Sequence, residues 1–341
     1  MDQLQAVIQY IGEHESLFSG IAAIIAIVGV CIALLDRLRR RLTTLDKVDH
    51  PAPIVTDTPV AEIDNTLKQD IRFTRNPAGH KLAWSLAGEG LPLVRALGWF
   101  TNLEFEWRHP SSRRCIDLMA SHYRLLRYDA RGMGLSERDV TDVSASTRLE
   151  DLEAVIEASG LERFILWGLS EGGTTAIQYA AKYPEKVSHL ILWGSFMQLV
   201  PDDEMVEKWL ALLELMPTQW VSDNRGFRQL MTAQFIPDGN AEQNDFFNEF
   251  QRHAAAPDVA ANTIASIADI DVSELAAEVK VPTLVMHRVD DLLVPVQQSM
   301  DIAATIPGSK LVQLEGANHW MLSDVQAFRE IVDQVHRFVR E

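Results

Sequence analysis

Cysteine and positive charge are both scarce in this sequence. Its 341 residues include 2 cysteines, Cys31 and Cys115, too few for a disulfide framework or a cysteine-based zinc site. Lysine and arginine total 31 against 48 acidic residues, which gives a net charge of −17. Nucleic-acid-binding proteins present basic faces to phosphates, so no nucleic-acid partner is expected. Apolar residues make up 47% of the chain, enough to build a sizeable core.

One long apolar run lies near the start of the chain. Residues 17–35 carry no charged side chain, and as a helix they would extend about 28 Å, close to the thickness of a bilayer's hydrocarbon core. Arginines cluster at positions 37–41, whereas no lysine or arginine precedes the run. This charge order is wrong for a signal peptide, and the positive-inside rule predicts a single transmembrane helix in the cell inner membrane. Residues 1–16 would then be extracytoplasmic, the rest of the chain cytoplasmic, and membrane lipid a partner.

Residues 36–68 predict a linker between this helix and a folded domain. The segment is basic at first and then carries Pro51, Pro53 and Pro59 without hydrophobic periodicity. The folded domain is expected to span residues 69–341.

Strand and helix patterns alternate through that domain, which is typical of an α/β fold with a mostly parallel sheet. Short apolar runs predict strands at residues 71–75, 81–87, 93–97, 124–128, 164–167, 189–193, 282–286 and 310–314.

The sequence also predicts where helices begin between the strands. Thr147 and Glu150 have the spacing of a capping box, and Ser323 and Gln326 have the same spacing before the last helix. Residues 199–275 hold no clear strand but many large apolar residues, so a helical insertion, or cap, is expected there.

The strongest chemical signal is the sequence GLSEG at residues 168–172. It follows the apolar run 164–167 and precedes a predicted helix over 173–182, which is the strand–turn–helix context of a nucleophilic serine. Gly168 and Gly172 provide the small neighbours that such a tight turn requires. Ser170 is therefore the candidate nucleophile.

A serine hydroxyl needs a base to take its proton and an acid to orient that base. Asp290 and Asp291 follow the predicted strand 282–286, and His319 follows the last strand. The carboxyl ends of parallel strands meet at one edge of a sheet, so these residues should lie near Ser170. We expect His319 as the base and Asp291, rather than Asp290, as the acid. His287 could compete as the base, but an ordinary structural histidine is the more economical interpretation.

The remaining histidines show no ligand-like spacing, so neither a metal nor another cofactor is expected.

At this point a resemblance is evident. The sequence RYDARGMGLS at 127–136 resembles the D-x-R-G-x-G-x-S signature of α/β-hydrolase fold enzymes, and GLSEGG, VDDLLVP and GANHW fit the same family over residues 70–340. This resemblance implies an eight-stranded sheet with an antiparallel second strand, helices on both faces of the sheet and a cap after the sixth strand. The segment 71–99 resembles hydrolase domains found beside bacterial adenylate cyclase or LuxR-type regulator modules.

The resemblance also implies an oxyanion hole of two backbone N–H groups. Many relatives have His-Gly after the third strand, whereas this chain has Leu97-Gly98-Trp99. We expect the N–H groups of Trp99 and Glu171 to be the donors. The side chain of Glu171 either points to solvent, which we expect, or repels anionic substrates.

Together these features predict a membrane-anchored serine hydrolase that cleaves an ester-like bond of an apolar small molecule. The alternative hypothesis is a small-molecule sensor that uses the same fold with little or no turnover. Carbon–carbon bond hydrolysis and perhydrolysis use similar residues, and the sequence does not separate them from esterolysis.

Overall fold

The computed structural model describes residues 66–199, 203–222, 225–321 and 324–341. The predicted transmembrane segment, the extracytoplasmic segment and nearly all of the linker lie outside these residues. Within them, no helix is both long enough and apolar enough to cross a bilayer.

Eight strands form one sheet, as the sequence predicts, and several run one to two residues further than expected. They are β1 (Asp70–Arg75), β2 (Lys81–Ala87), β3 (Leu91–Leu97), β4 (Tyr123–Tyr128), β5 (Phe164–Leu169), β6 (Val187–Trp193), β7 (Thr283–Arg288) and β8 (Lys310–Leu314). Every residue of β5 and β7 is buried, which fits strands that are covered on both faces of a parallel sheet.

The strand order is β1-β2-β4-β3-β5-β6-β7-β8. Strand β2 is antiparallel to β1 and β4, whereas β4, β3, β5, β6, β7 and β8 run parallel. The carboxyl ends of β3, β5, β6, β7 and β8 therefore lie along one edge, and this edge holds the candidate residues.

Helices connect the strands. They are α1 (Leu103–Arg108), α2 (Pro110–Ala120), α3 (Ala145–Ser159), α4 (Gly172–Lys182), α5 (Asp203–Gln219), α6 (Gly226–Phe235), α7 (Ala241–Ala254), α8 (Pro257–Ile267), α9 (Ser273–Glu278), α10 (Gln297–Thr305) and α11 (Val325–Arg340).

Two neighbouring residues of β5 show that helices cover both faces of the sheet. The ring of Trp167 stacks on Phe328 of α11, with centroids 6.1 Å apart. A Cβ on the next residue, Gly168, would lie 2.8 Å from the Cβ of Ala176 in α4. Since successive strand residues point to opposite faces, α11 and α4 lie on opposite sides of the sheet.

Helices α5 to α8 form the cap, in the interval between β6 and β7 where the sequence predicts a helical insertion. Helix α5 packs against α8, and α6 packs against α7. Helix α9 packs instead against α4 and so joins the layer beside the sheet. The cap buries the aromatic side chains of Trp220, Phe227, Phe235, Phe246, Phe247 and Phe250.

Both predicted helix starts need correction. The N-cap position of α3 is Ser144, not Thr147, and the Ser144 side chain makes no capping hydrogen bond. The Thr147 hydroxyl donates to the Ser144 carbonyl. The carboxylate of Glu150 pairs with Arg131, so it is not available for a capping box.

The final helix is capped by Asp324, whose carboxylate accepts hydrogen bonds from the N–H groups of Gln326 and Ala327. Ser323 lies outside the described residues.

Candidate active site

Ser170 lies in a tight turn between β5 and α4, with a backbone φ of 53°. This left-handed conformation is costly for a non-glycine residue and is held by its surroundings. A Cβ on Gly172 would lie 2.2 Å from the carbonyl oxygen of Ala96, and one on Gly168 would lie 2.5 Å from the Cα of Gly173. The glycines of the motif therefore allow the close packing that keeps the turn in this form.

Backbone hydrogen bonds tie this turn to the end of β6. The N–H of Ser170 donates to the Trp193 carbonyl at 2.8 Å. The Ser170 carbonyl accepts a hydrogen bond from the hydroxyl of Ser195 at 2.8 Å. These bonds hold the backbone of the turn in place, and neither of them involves the Ser170 hydroxyl.

His319 and Asp291 meet at the same edge of the sheet. His319 Nδ1 lies 2.6 Å from Asp291 Oδ2, and both side chains are buried. Asp291 Oδ1 accepts hydrogen bonds from the N–H groups of Leu293 and Val294. Because an ionised carboxylate only accepts, Nδ1 must carry a proton, and neutral His319 then has a free lone pair on Nε2. The neighbouring Asp290 is exposed to solvent.

The pKa of Asp291 lies well below its usual range. Burial by itself would raise this pKa, but the positive charges that His319 and His287 carry when protonated, together with their hydrogen bonds to the carboxylate, outweigh burial. Asp291 is therefore an anion at neutral pH.

His287 is a second histidine against the same carboxylate. Its Nε2 lies 2.8 Å from the carbonyl of Val294 and 3.3 Å from Asp291 Oδ2, and its Nδ1 faces the hydroxyl of Ser299. Both ring nitrogens are thus engaged and the side chain is fully buried. This arrangement fits the structural interpretation of His287 and adds a contact that orients Asp291.

Gly194 leaves room for the histidine–aspartate pair. It follows β6 with a φ of 52°, and a Cβ there would lie 2.9 Å from His319 Cε1. The indole N–H of Trp193 donates to the His319 carbonyl at 2.9 Å, and the ring of Phe235 lies edge-on to the imidazole. The hydrogen bond to Trp193 thus fixes the His319 backbone, and Phe235 packs against the imidazole ring.

Ser170 and His319 line one cavity beneath the cap. Its other walls are apolar, and they comprise Trp99, Leu169, Trp193, Phe235, Trp320 and Met321. The free volume of about 20 Å³ is enough for one water molecule.

Within the described part of the chain, His319 Nε2 is buried without a hydrogen-bond partner, and no hydrogen bond joins it to the Ser170 hydroxyl. Catalytic hydrogen bonds are often long in free enzymes and shorten when substrate binds.

The two predicted oxyanion donors lie on adjacent loops. A Cβ on Gly98 would lie 2.6 Å from the Cβ of Glu171 and 2.7 Å from the N of Gly172, so the two loops are in direct contact. The residue after Trp99, Phe100, has a φ of 62°, a second strained position at this edge. Neither the Trp99 nor the Glu171 N–H donates to any acceptor in the described ranges.

The prediction that the Glu171 side chain points to solvent is wrong. Glu171 is buried, and its Oε1 lies 2.7 Å from Arg148 Nε. Burial raises the pKa of Glu171, and the positive charge of Arg148 opposes that rise. Sequence reasoning missed Arg148 because it is distant along the chain and belongs to no motif.

The D-x-R-G segment does not line the cavity. The buried carboxylate of Asp129 accepts hydrogen bonds from the N–H groups of Leu103 and Leu135, and burial raises the pKa of Asp129 to about 7. Arg131 pairs with Asp151 of α3. Among the residues described, no group of histidine, cysteine and acidic side chains is arranged to hold a metal ion.

The depressed pKa of Asp291 predicts a pH-dependent contribution to stability. A carboxylate whose pKa is lower in the folded state stabilises the fold above its unfolded pKa, and this contribution is lost as pH falls toward the folded value. We expect the difference in free energy of unfolding between the parent and Asp291→Asn to shrink as pH falls from about 6 to about 3, a range that spans the ordinary aspartate pKa. Urea unfolding at each pH measures it, and a constant difference would contradict the prediction.

Comparisons with known proteins agree with this architecture. A family model described as "alpha/beta hydrolase fold" matches residues 98–324. The chain is 27% identical over 231 residues to a putative carbamate hydrolase RutD of Klebsiella pneumoniae, covering 63% of this chain and 81% of that protein. It is 28% identical over 263 residues to a pimeloyl-[acyl-carrier protein] methyl ester esterase of Aliivibrio salmonicida, covering 76% and 96%.

Solved structures share the fold. An esterase of Exiguobacterium antarcticum superposes with a TM-score of 0.68 at 23% identity, covering 79% of this chain and 99% of that one. A hydrolase of Pseudomonas aeruginosa superposes with a TM-score of 0.66 at 23% identity, covering 79% and 98%.

Proposed function

The chain belongs to the alpha/beta hydrolase fold family and is a hydrolase, and we propose that it cleaves an ester-like bond by acyl transfer through Ser170, His319 and Asp291. The observation that carries this proposal is the buried hydrogen bond of 2.6 Å between His319 Nδ1 and Asp291 Oδ2. That bond leaves His319 Nε2 as a base in the cavity that Ser170 also lines. A base held in this tautomer beside a serine is what acyl transfer requires.

In the first half of the reaction, the Ser170 hydroxyl attacks the carbonyl carbon while His319 Nε2 takes its proton. The electron pair of the carbonyl moves onto oxygen, and the N–H groups of Trp99 and Glu171 stabilise this oxyanion. Asp291 stays ionised and stabilises the imidazolium. Collapse of the intermediate expels the alcohol oxygen, which takes the proton from Nε2, and leaves an acyl-serine.

In the second half, water attacks the acyl-serine and gives a proton to His319 Nε2. The second tetrahedral intermediate collapses, the Ser170 oxygen leaves and recovers that proton, and a carboxylic acid is released. No other group is needed to balance either step.

The substrate should carry an uncharged, apolar acyl group. The cavity walls bear no acidic side chain, lysine or arginine, so a charged acyl group would lose its hydration without a partner. The cavity volume of about 20 Å³ suffices for one water molecule, so cap side chains such as Phe235 must move to admit an acyl chain.

Hydrolysis of p-nitrophenyl esters tests this substrate class. We expect kcat/KM to rise from acetate to butyrate by about fourfold per added methylene, because burying one methylene stabilises the complex by about 0.8 kcal/mol. Mono-p-nitrophenyl succinate is the matched charged substrate. Its own carboxylate promotes rapid uncatalysed hydrolysis, so the enzymatic rate is the excess over a blank without enzyme, and this rate should be far lower than for the pentanoate. A strict preference for acetate, or equal rates for succinate and pentanoate, would contradict the apolar assignment.

We also propose that residues 17–35 anchor the enzyme to the inner membrane, with the hydrolase domain in the cytoplasm. The support is the absence of charge in this run and the arginines that follow it. The full chain expressed in bacteria should remain in membranes washed with carbonate. Ile25→Asp/Val28→Asp should release it, because each aspartate at a helix centre costs about 3 kcal/mol of insertion free energy. Recovery of the unmodified chain in the wash would contradict the anchor.

A further inference from the structure

The side chain of Arg148 contacts both loops that supply the proposed oxyanion donors. Arg148 lies in the first turns of α3, and its side chain is buried. Its Nε lies 2.7 Å from Glu171 Oε1, and its Nη1 donates to the carbonyl oxygen of Gly98 at 2.9 Å. Its Nη2 donates to the hydroxyl of Thr263 in the cap helix α8 at 3.3 Å. One guanidinium thus joins the loop after β3, the turn after β5 and the cap.

The hydrogen bond to Gly98 determines where the Trp99 N–H points. The Gly98 carbonyl and the Trp99 N–H belong to one planar peptide unit, and in a trans unit they point in opposite directions. Arg148 holds the oxygen, so the N–H is directed away from Arg148. A hydrogen bond from a cation also polarises the peptide unit, which strengthens the N–H as a donor.

The contact with Glu171 fixes the second donor. The backbone N–H of Glu171 is the other proposed donor, and its side chain is clamped between Arg148 and the loop at Gly98. A Cβ on Gly98 would lie 2.9 Å from Glu171 Oε2, so only glycine lets the carboxylate lie this close to the loop. The residue that carries the donor therefore cannot shift without breaking the ion pair.

Stability alone does not explain this ion pair. Both Glu171 oxygens lack a well-aligned hydrogen bond in the described part of the chain, and Arg148 Nε also lacks one. Removing two charges from water costs about as much as their attraction returns, and apolar residues of similar volume often stabilise a core at least as well. A guanidinium, in contrast, provides fixed directions toward two partners at once.

We propose that Arg148, with Glu171 as its counter-charge, is a positioning residue that sets the spacing and direction of the Trp99 and Glu171 N–H groups. This inference rests on the proposed function, because it assumes that these two groups hold the oxyanion of an acyl-transfer reaction. Arg148 itself touches neither substrate nor the reacting atoms.

Arg148→Lys tests the proposal, since an ammonium keeps the charge but cannot reach Glu171 and Gly98 together. We expect kcat to fall about 10- to 100-fold with KM within about threefold, because misplacing groups by 1 Å can cost on the order of 100-fold in rate. A trifluoromethyl ketone bearing the acyl chain of the best ester forms an oxyanion adduct with Ser170. Its Ki should rise by the same factor as kcat falls, which a purely structural role would not produce.

Glu171→Gln is the conservative variant. Its amide oxygen still accepts from Arg148, and because charge-assisted bonds are about twice as strong as neutral ones, we expect a smaller loss of about three- to tenfold in kcat. The matched control is Asp151→Asn, which breaks another buried ion pair on α3, between Asp151 and Arg131. This control should lower the melting temperature and leave kcat and Ki unchanged.

The outcomes separate the two proposals. A parent enzyme without Ser170-dependent turnover overturns the proposed function and this inference with it. An active parent whose variants match it in kcat and Ki overturns this inference alone. If Arg148→Lys does not fold, Glu171→Gln still tests the positioning role of Arg148, because it keeps the shape of the side chain. Unchanged kcat and Ki in Glu171→Gln would overturn that role.

Discussion

Replacing Ser170 with alanine should lower kcat for a p-nitrophenyl ester by about 10⁶-fold, because loss of a triad serine removes the acyl-enzyme route. The turn itself should persist, since its backbone hydrogen bonds to Trp193 and Ser195 do not involve the Ser170 hydroxyl. The melting temperature should therefore change little while turnover disappears.

The matched control for this variant is Ser159→Ala, at the far end of α3. It removes a hydroxyl of the same kind and should keep full activity. Turnover by Ser170→Ala within tenfold of the parent would show that another group performs the attack, and the proposed mechanism would be wrong.

Asp291→Asn should lower kcat by about 10⁴-fold, as the loss of the triad carboxylate does when the histidine takes the wrong tautomer. An asparagine side chain has only one accepting oxygen. When the amide is turned the other way, its N–H₂ group faces His319 Nδ1. In that arrangement Nδ1 becomes the acceptor and Nε2 carries the proton, so Nε2 cannot act as a base toward Ser170.

Asp290→Asn is the matched control for the acid. The two aspartates are adjacent, but Asp290 is exposed whereas the Asp291 carboxylate is 1% exposed and bonded to His319. Asp290→Asn should keep activity within about twofold, because exposed charges contribute little. Equal losses in the two variants, or a larger loss at Asp290, would reverse the assignment.

The sheet was predictable because its signals are local. Each strand is a short apolar run bounded by turn residues, and the strands covered on both faces, such as β5 and β7, are the most continuous runs. The residues placed after those strands could be assigned to one edge because parallel strands share their direction. This placement brings His319 and Asp291 into contact in the structure.

The parts that sequence reasoning missed depend on distant partners. The direction of the Glu171 side chain is set by Arg148, which lies on another helix, and no local pattern records that pairing. Glu150 has the capping-box spacing from Thr147, but its carboxylate forms an ion pair with Arg131 instead. Both errors concern a carboxylate whose partner is a guanidinium from elsewhere in the fold.

The backbone strain at the site is the other missed feature. The left-handed conformation of Ser170 follows from its motif, whereas that of Phe100, with a φ of 62°, has no counterpart in the sequence. The Phe100 ring packs against the cap side chains Trp220, Phe235, Phe247 and Phe250, and these contacts join residues that are distant along the chain.

The most direct test of the account is reaction with a fluorophosphonate, followed by mass spectrometry of the modified peptide. We expect a single modified residue, Ser170, with no labelling of Ser170→Ala and slow labelling of Asp291→Asn. Modification at any other residue, or no modification of a folded parent enzyme, would contradict the assignment of Ser170 as the nucleophile.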